Sequence, residues 1–370
     1  AVLCSRMSGT QMYDVIVLGT GGVGSATMLA CAKRGAKVLG LDRFAPGHDR
    51  GSSHGESRVI RRSYFEHPDY VPLLNLAYDL WDDLAQRQNE QFLQRTGVLY
   101  FGPQDGVVVP GVLRSAAEHQ LVVEQLPAEE SRRRFPGFVV PSSAAVLFEA
   151  DAGYLPVERC VTTQIEEAVR LGAEHSCGEA VVRWSVAQNS VVVETATGTY
   201  QAARLVITAG CWTAGLLQAL NVPLRIVRKH LHWYASKDQR YRESKGCPCF
   251  FYEAHGGYFY GFPDTGGPGV KVAEHSGGTE IVDPLADLRE EEAADTQRMQ
   301  QFLRKYLPGV SGHRTRRDVC FYTMTPDEHF IVDRHPEHES VAFAAGLSGH
   351  GFKFTSALGH VLAEPVSYTH

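Results

Sequence analysis

The stretch Tyr13-Asp14-Val15-Ile16-Val17-Leu18-Gly19-Thr20-Gly21-Gly22-Val23-Gly24 decides the fold class. Its apolar first half reads as a buried strand, and its glycines read as a tight turn opening into a helix. The run from Ser25 to Arg34 has helical character, with Lys33 and Arg34 in its last turn and Gly35 as a stop. A second apolar run, Val38 to Leu41, ends on Asp42, eighteen residues beyond Gly24. Strand, glycine turn, helix, second strand and acid together make a dinucleotide-binding βαβ unit. In such a unit Gly19 makes the turn and Gly21 lets the backbone approach a pyrophosphate. Gly24 admits close helix–strand packing, and Asp42 takes the adenosine ribose hydroxyls. A lone GxGxxG is a weak signal; its setting here makes it strong. The stretch does not choose between FAD and NAD.

The 370 residues exceed one average domain, so two domains are expected. A hydrophobic share of 44% and a charged share of 21% are those of an ordinary globular chain. The formal charge of −6 argues against a nucleic-acid partner. No apolar stretch approaches the about 18 residues that cross a bilayer, so no membrane partner is expected. Ala1 to Gln11 lacks the layout of a signal peptide, and Met7 and Met12 are both candidate starts, so the chain reads as soluble and intracellular. The eight cysteines show no framework spacing and read as reduced thiols. Cys247-Pro248-Cys249 and His230-Leu231-His232 are the ligand-like pairs, and neither has a second pair at zinc spacing. No metal is expected.

Further along, a polar loop from Pro46 to Ser57 precedes the basic segment Arg58-Val59-Ile60-Arg61-Arg62. Arg58 and Arg61, three apart, would share a face on a helical turn, and Arg62 reads as a solvated charge. Helices are expected from Pro72 through Leu84 and from Val157 to Gly172, and a hairpin over Ser190 to Tyr200 turns at Thr197-Gly198. From Val222 to about Val282 aromatics and glycines alternate, as in Tyr258-Phe259-Tyr260-Gly261-Phe262, which predicts an antiparallel sheet. A polar helix around Met299 to Tyr306 follows. Then Val341 to Ala345 reads as a strand, Gly346 to Gly351 as a glycine loop, and Phe352 to Glu364 as a helix. Strand, glycine loop and helix at both ends suggest that the termini build one nucleotide domain around a sheet-rich insertion, with a ligand in the crevice between them.

Three segments then resemble the sarcosine oxidase family of amine-oxidising flavoenzymes: Gly51-Ser52-Ser53-His54-Gly55-Glu56-Ser57-Arg58-Val59-Ile60-Arg61, Cys320-Phe321-Tyr322-Thr323-Met324-Thr325-Pro326-Asp327-Glu328-His329-Phe330-Ile331-Val332-Asp333, and Gly346-Leu347-Ser348-Gly349-His350-Gly351-Phe352-Lys353-Phe354. The resemblance runs from Met12 onward and implies an α/β fold of the two-domain D-amino-acid-oxidase type. A Rossmann-type FAD-binding domain would span 12–90, 150–215 and 315–370; a substrate domain on a mostly antiparallel sheet would span 91–149 and 216–314. Members of the family continue past Pro365 to His370, so the natural C-terminus is expected to lie further on.

Alone, Cys320 reads as a buried structural thiol; the resemblance implies a covalent link from it to FAD. Arg61 and Lys353 match the family's carboxylate ligands, a planar fork beside a point charge. Arg58 matches the cation against the flavin ring. Lys271, in the apolar context Gly269-Val270-Lys271-Val272, is costly to bury without a role, and it matches the family's oxygen-activating lysine. Tyr260 and His275 match pocket-lining residues that would otherwise read as core and surface loop. His54, Ser57, Tyr322, Gly349, His350 and Gly351 match flavin-side positions. Ser53 and Ser57 stand where bacterial members carry histidine and threonine, and resemble the peroxisomal branch. The implied reaction is oxidation of a small secondary amino acid to an imine, with oxygen reduced to hydrogen peroxide, in a cytoplasmic or peroxisomal monomer. A primary-amino-acid oxidase, a flavin dehydrogenase and a catalytically silent FAD-binding protein are the alternatives.

Overall fold

The computed structural model describes residues 12–187, 190–310 and 312–367, and the side chains up to residue 364. The expectations for Ala1 to Gln11, and for the end of the chain, fall on residues outside that description in whole or part.

The first layer is an eight-stranded sheet whose parallel core runs His338–Ala345, Thr199–Ile207, Met12–Leu18, Val38–Asp42 and Glu174–Cys177 in spatial order. Val15, Ile16, Val17 and Leu18 are buried on both faces, as a central parallel strand must be. Ile331–His335 adds an antiparallel edge strand, and the Val181–Ala187/Ser190–Thr195 hairpin extends the sheet beside Thr199–Ile207. The helix Gly22–Lys33 packs against the helices Thr355–Ser367 and Val157–Arg170. It begins at Gly22 rather than Ser25, because the turn Gly19–Gly21 leads straight into helical backbone with Gly21 as its extended N-cap.

The second layer is a nine-stranded, mostly antiparallel sheet. Its path runs Thr279–Ile281, Arg225–Tyr234, Val270–Glu274, Gly257–Phe262, Cys249–Ala254, Val98–Pro103, Ala144–Glu149 and Glu124–Leu126. Arg314–Met324 pairs with Arg225–Tyr234 over ten residue pairs. By this pairing the strand belongs to the second sheet, and the chain returns to the first layer only after Met324, because two long strands satisfy each other's backbone here before it crosses. The helix Ala293–Tyr306 covers this sheet with Met299, Phe302, Leu303 and Tyr306.

A two-stranded ribbon, Ser57–Ile60 against Gly153–Pro156, lies between the layers. It overturns the helical turn expected for Arg58 to Arg61. Val59 and Ile60 are β-branched and the segment finds a strand partner, which outweighs any helical preference of the arginines. Arg62 is not merely solvated: its guanidinium lies 3.7 Å from the Tyr78 ring centroid and pairs with Asp151. Among the described residues, Cys31, Cys160, Cys211, Cys247, Cys249 and Cys320 are buried and in no disulfide. Cys177 is disulfide-bonded, against the expectation of reduced thiols throughout, and Cys4 is outside the described residues. Among the described residues no helix is long and apolar enough to cross a membrane, and no cluster of three metal-ligating side chains occurs.

Candidate active site

A cavity of about 440 Å³ runs from the glycine turn, along the carboxyl ends of the parallel strands, to the face of the second sheet. That is where open α/β sheets bind ligands, beside the strand at which the chain reverses direction. At its first end Gly19 adopts φ +81°, and a Cβ there would stand 2.6 Å from the Cα of Ala209. A Cβ on Gly24 would fall 1.9 Å from the Gly19 carbonyl oxygen, so helix and turn close only on glycine. Gly21, by contrast, has open space on its cavity side, with only Ser53 Oγ at 3.6 Å. The backbone is thus bare where a pyrophosphate would meet the helix N-terminus. Ser53 Oγ accepts the Gly22 N–H at 3.0 Å.

Asp42 lines the cavity, accepting from the Thr20 amide at 2.7 Å and the Phe44 amide at 2.9 Å. Two buried donors in the lining, Trp212 Nε1 and Thr355 Oγ1, have no hydrogen-bond partner among the described residues. A glycine cradle, an acid at the second strand and two orphaned donors fit a dinucleotide, which would satisfy them. Bound FAD would be held by Gly19, Gly21, Asp42 and the loop Gly349–Gly351.

At the far end the cavity becomes a pocket with cations on one side and rings on the other. Arg58 donates to the carbonyls of Ser57 at 2.9 Å and Ser52 at 2.7 Å, which anchors its guanidinium in the lining. Arg61 is buried, donates to Ser63 O at 3.0 Å, and lies 4.3 Å from the ring centroids of both Tyr64 and Phe65. Its fork is engaged by both oxygens of Glu66, at 2.8 and 2.7 Å. Burial alone would raise the Glu66 carboxyl, but Arg61 holds it down to about 2. Lys353 donates to His350 O at 2.7 Å; burial, then repulsion from Arg61, pushes its pKa down to about 7.

Opposite stand Tyr260, His275 and Tyr322, with Tyr322 OH 3.3 Å from His275 Nδ1. Burial, then the nearby Lys229, pushes His275 down to about 3, and burial raises both phenols. This wall is uncharged at any ordinary pH.

Of the residues singled out from sequence, Gly19, Gly21, Asp42, Ser53, Arg58, Arg61, Tyr260, His275, Tyr322, Gly349, His350, Gly351 and Lys353 therefore line one cavity. Gly24, His54, Ser57, Lys271 and Cys320 stand behind the lining rather than in it. Lys271 Nζ donates to Gly55 O at 2.5 Å, Ser57 O at 2.8 Å and Ser57 Oγ at 3.2 Å, so it supports the Arg58 loop from beneath. Burial, then Arg58, lowers its pKa, while three acceptors around Nζ call for three N–H protons. That set of acceptors favours the ammonium. His54 is buried and pushed down to about 3, first by burial and then by Arg58. Glu66 was missed from sequence. A carboxylate five residues beyond Arg61 was the available signal, since a buried fork needs an acceptor.

Residues 14–364 match the family described as FAD dependent oxidoreductase, DAO. The chain is 40% identical over 357 residues to a monomeric sarcosine oxidase of Bacillus sp. (strain B-0618), covering 95% of this chain and 91% of that protein. It is 40% identical to an N-methyl-L-tryptophan oxidase of Yersinia pestis (strain Pestoides F), covering 95% and 94%. Among solved structures, NikD, an unusual amino acid oxidase essential for nikkomycin biosynthesis, superposes with a TM-score of 0.84 at 25% identity, covering 96% and 94%. An L-proline dehydrogenase from P. horikoshii shares the fold, with a TM-score of 0.81 at 20% identity over 96% of this chain and 93% of that one. A nucleotide cradle continuous with a cationic pocket, on a chain matched over residues 14–364 by the family, leaves one conclusion: the protein belongs to the FAD-dependent oxidoreductases of the DAO family and is a flavin amine oxidase.

Proposed function

We propose that the protein oxidises a small secondary α-amino acid, such as sarcosine, an N-methyl amino acid or pipecolate, to an imine. The amine gives up two electrons and two protons; oxygen takes them up as hydrogen peroxide, and water hydrolyses the imine. The observation that carries this reading is the pair of buried cations, Arg61 and Lys353, in the wall of the cavity that begins at the glycine turn. Bound FAD supplies the two-electron chemistry. The chain's residues bind and orient. Arg61 and Lys353 hold the carboxylate, which must first share or replace Glu66 on the Arg61 fork. Arg58 is a fixed cation beside the reacting centre. The neutral wall of Tyr260, His275 and Tyr322 receives the amine and its substituent without a competing charge. Lys271 is assigned to the oxygen half-reaction. Monomeric state and a cytoplasmic or peroxisomal location follow from the same resemblance.

Anaerobic bleaching of the flavin absorbance tests this reading. Sarcosine, L-pipecolate, L-proline and N-methyl-L-tryptophan are compared with the matching decarboxylated amines. The acids should bleach the flavin and the amines should not; equal rates would remove the carboxylate clamp and the substrate class together. Ser53 and Ser57 favour sarcosine or the cyclic acids.

We also propose that Cys320 carries the FAD covalently. Cys320 is fully buried, and its neighbours Phe321, Tyr322 and Thr323 line the cavity, which sets it directly beside the lining. Acid precipitation of the flavin-loaded protein should give a yellow pellet. In Cys320→Ala the FAD should stay bound to the native protein through the glycine cradle but come away in acid. A colourless pellet from loaded native protein would overturn the assignment.

A further inference from the structure

Lys229 is a buried lysine to which none of the roles above extends. It lies in the strand Arg225–Tyr234, 3% exposed, and faces Cys320 across the pairing with Arg314–Met324. A buried ammonium persists only where its surroundings compensate it. Here the compensation is not an ion pair. Nζ donates to three consecutive backbone carbonyls, His275 at 3.0 Å, Ser276 at 2.6 Å and Gly277 at 2.9 Å, which uses all three of its protons. The neighbouring Glu274 carboxylate is taken by Arg298 Nε at 2.8 Å and Ser276 Oγ at 3.0 Å.

The clamped segment is a turn, with Gly277 at φ +63° and Gly278 at φ +103°, and it would otherwise have loose carbonyls beneath the second sheet. It carries His275, whose ring lines the cavity. The same Nζ stands 5.4 Å from the ring centroid of Tyr322, the residue whose hydroxyl meets His275 Nδ1. One cation behind the wall thus touches the backbone of one polar pocket residue and the ring of the other.

We propose that Lys229 is a positioning residue for the amine end of the pocket, fixing His275 against Tyr322 by clamping the turn that carries it. The proposal rests on the reading of this cavity as an amino-acid site. It has an electrostatic corollary. His275 is faced by Lys229, Lys353 and His350, which disfavour its protonation, by Glu66, which favours it, and by the phenols of Tyr260 and Tyr322. Burial is the largest influence and Lys229 the next. Removing Lys229 both frees the turn and lets the imidazole charge more easily.

The test is a double-mutant cycle on the FAD-loaded enzyme, using Lys229→Met, His275→Asn and both together. Acetate affinity is read from the flavin spectrum across pH 5–9, beside kcat and KM for sarcosine. Lys229→Met should raise KM about tenfold, change kcat less, and add a pH dependence to acetate binding at the acid end of that range, as the imidazole charges more easily. In the His275→Asn background the same change should cost less than about twofold and add no pH dependence to that of Lys353, because coupled residues are not additive. Lys229→Arg should restore most of the loss. Losses that multiply in the double variant, or an unchanged pH profile, would overturn the proposal. Should Lys229→Met fail to fold, Lys229→Gln carries the same cycle. An enzyme that binds acetate yet oxidises no secondary amino acid would defeat the functional reading alone, since the binding cycle still decides the role of Lys229.

Discussion

Truncating either cation of the clamp should weaken carboxylate binding by about 2–5 kcal/mol, or roughly 30-fold to 4,000-fold in affinity, because a desolvated carboxylate loses a charged partner. Lys353→Met is the cleaner variant. Among the described residues the one hydrogen bond of Lys353 Nζ goes to the His350 carbonyl, whereas Arg61→Ala would strand the Glu66 carboxylate in a buried site and cost stability as well. The measurement is acetate titration followed by the flavin spectrum, with thermal unfolding as the control. Affinity within threefold of the parent in a folded Lys353→Met protein would remove that residue from the clamp. The pH dependence has a definite sign. Burial and Arg61 lower Lys353 to about 7, so its charge is present below that pH and lost as pH rises through it. Acetate should therefore bind more weakly above pH 7, and Lys353→Arg should flatten the profile, since a guanidinium keeps its proton throughout. Glu66→Gln bears on the fork itself: with its internal competitor neutral, Arg61 should take an external carboxylate more tightly.

Lys271→Met should slow reoxidation of the reduced enzyme by ~10²-fold or more while leaving anaerobic reduction comparatively fast, as expected when a preorganised charge is lost from one half-reaction. The structure gives this lysine a second duty, since its three donors fix the Gly55 and Ser57 carbonyls beneath Arg58. Stopped-flow traces of the two half-reactions separate the duties. A purely supporting lysine would slow both alike by misplacing Arg58, and that outcome would contradict the oxygen assignment.

Much of the first layer is legible in local sequence. The Tyr13–Gly24 stretch is a strand, a turn that requires glycine at Gly19, and a helix start, each specified by residues within a dozen positions. The alternation around Tyr258 to Phe262 likewise becomes a strand paired on both sides. Where the helical spacing of Arg58 and Arg61 misled, a partner strand at Gly153–Pro156, nearly a hundred residues away, outweighed the local pattern. The strand Arg314–Met324 joined the second sheet for the same reason: pairing with Arg225–Tyr234 is a long-range choice that no window of residues contains.

The site divides in the same way. Residue types and spacing by themselves marked the first glycine turn, Asp42 and the costly burial of Lys271, while the clamp cations, the pocket tyrosines and the histidine were marked only by the family resemblance. Only tertiary structure decided which of them meet the cavity and which stand behind it. It put Glu66 on the Arg61 fork, Lys271 under the Arg58 loop and Lys229 under the His275 turn. Those partners come from separate parts of the chain or from opposite ends of a turn, and a buried charge takes whatever complementary group the fold delivers within hydrogen-bond reach. Sequence names the charges that have to be answered; packing alone settles which group answers each one.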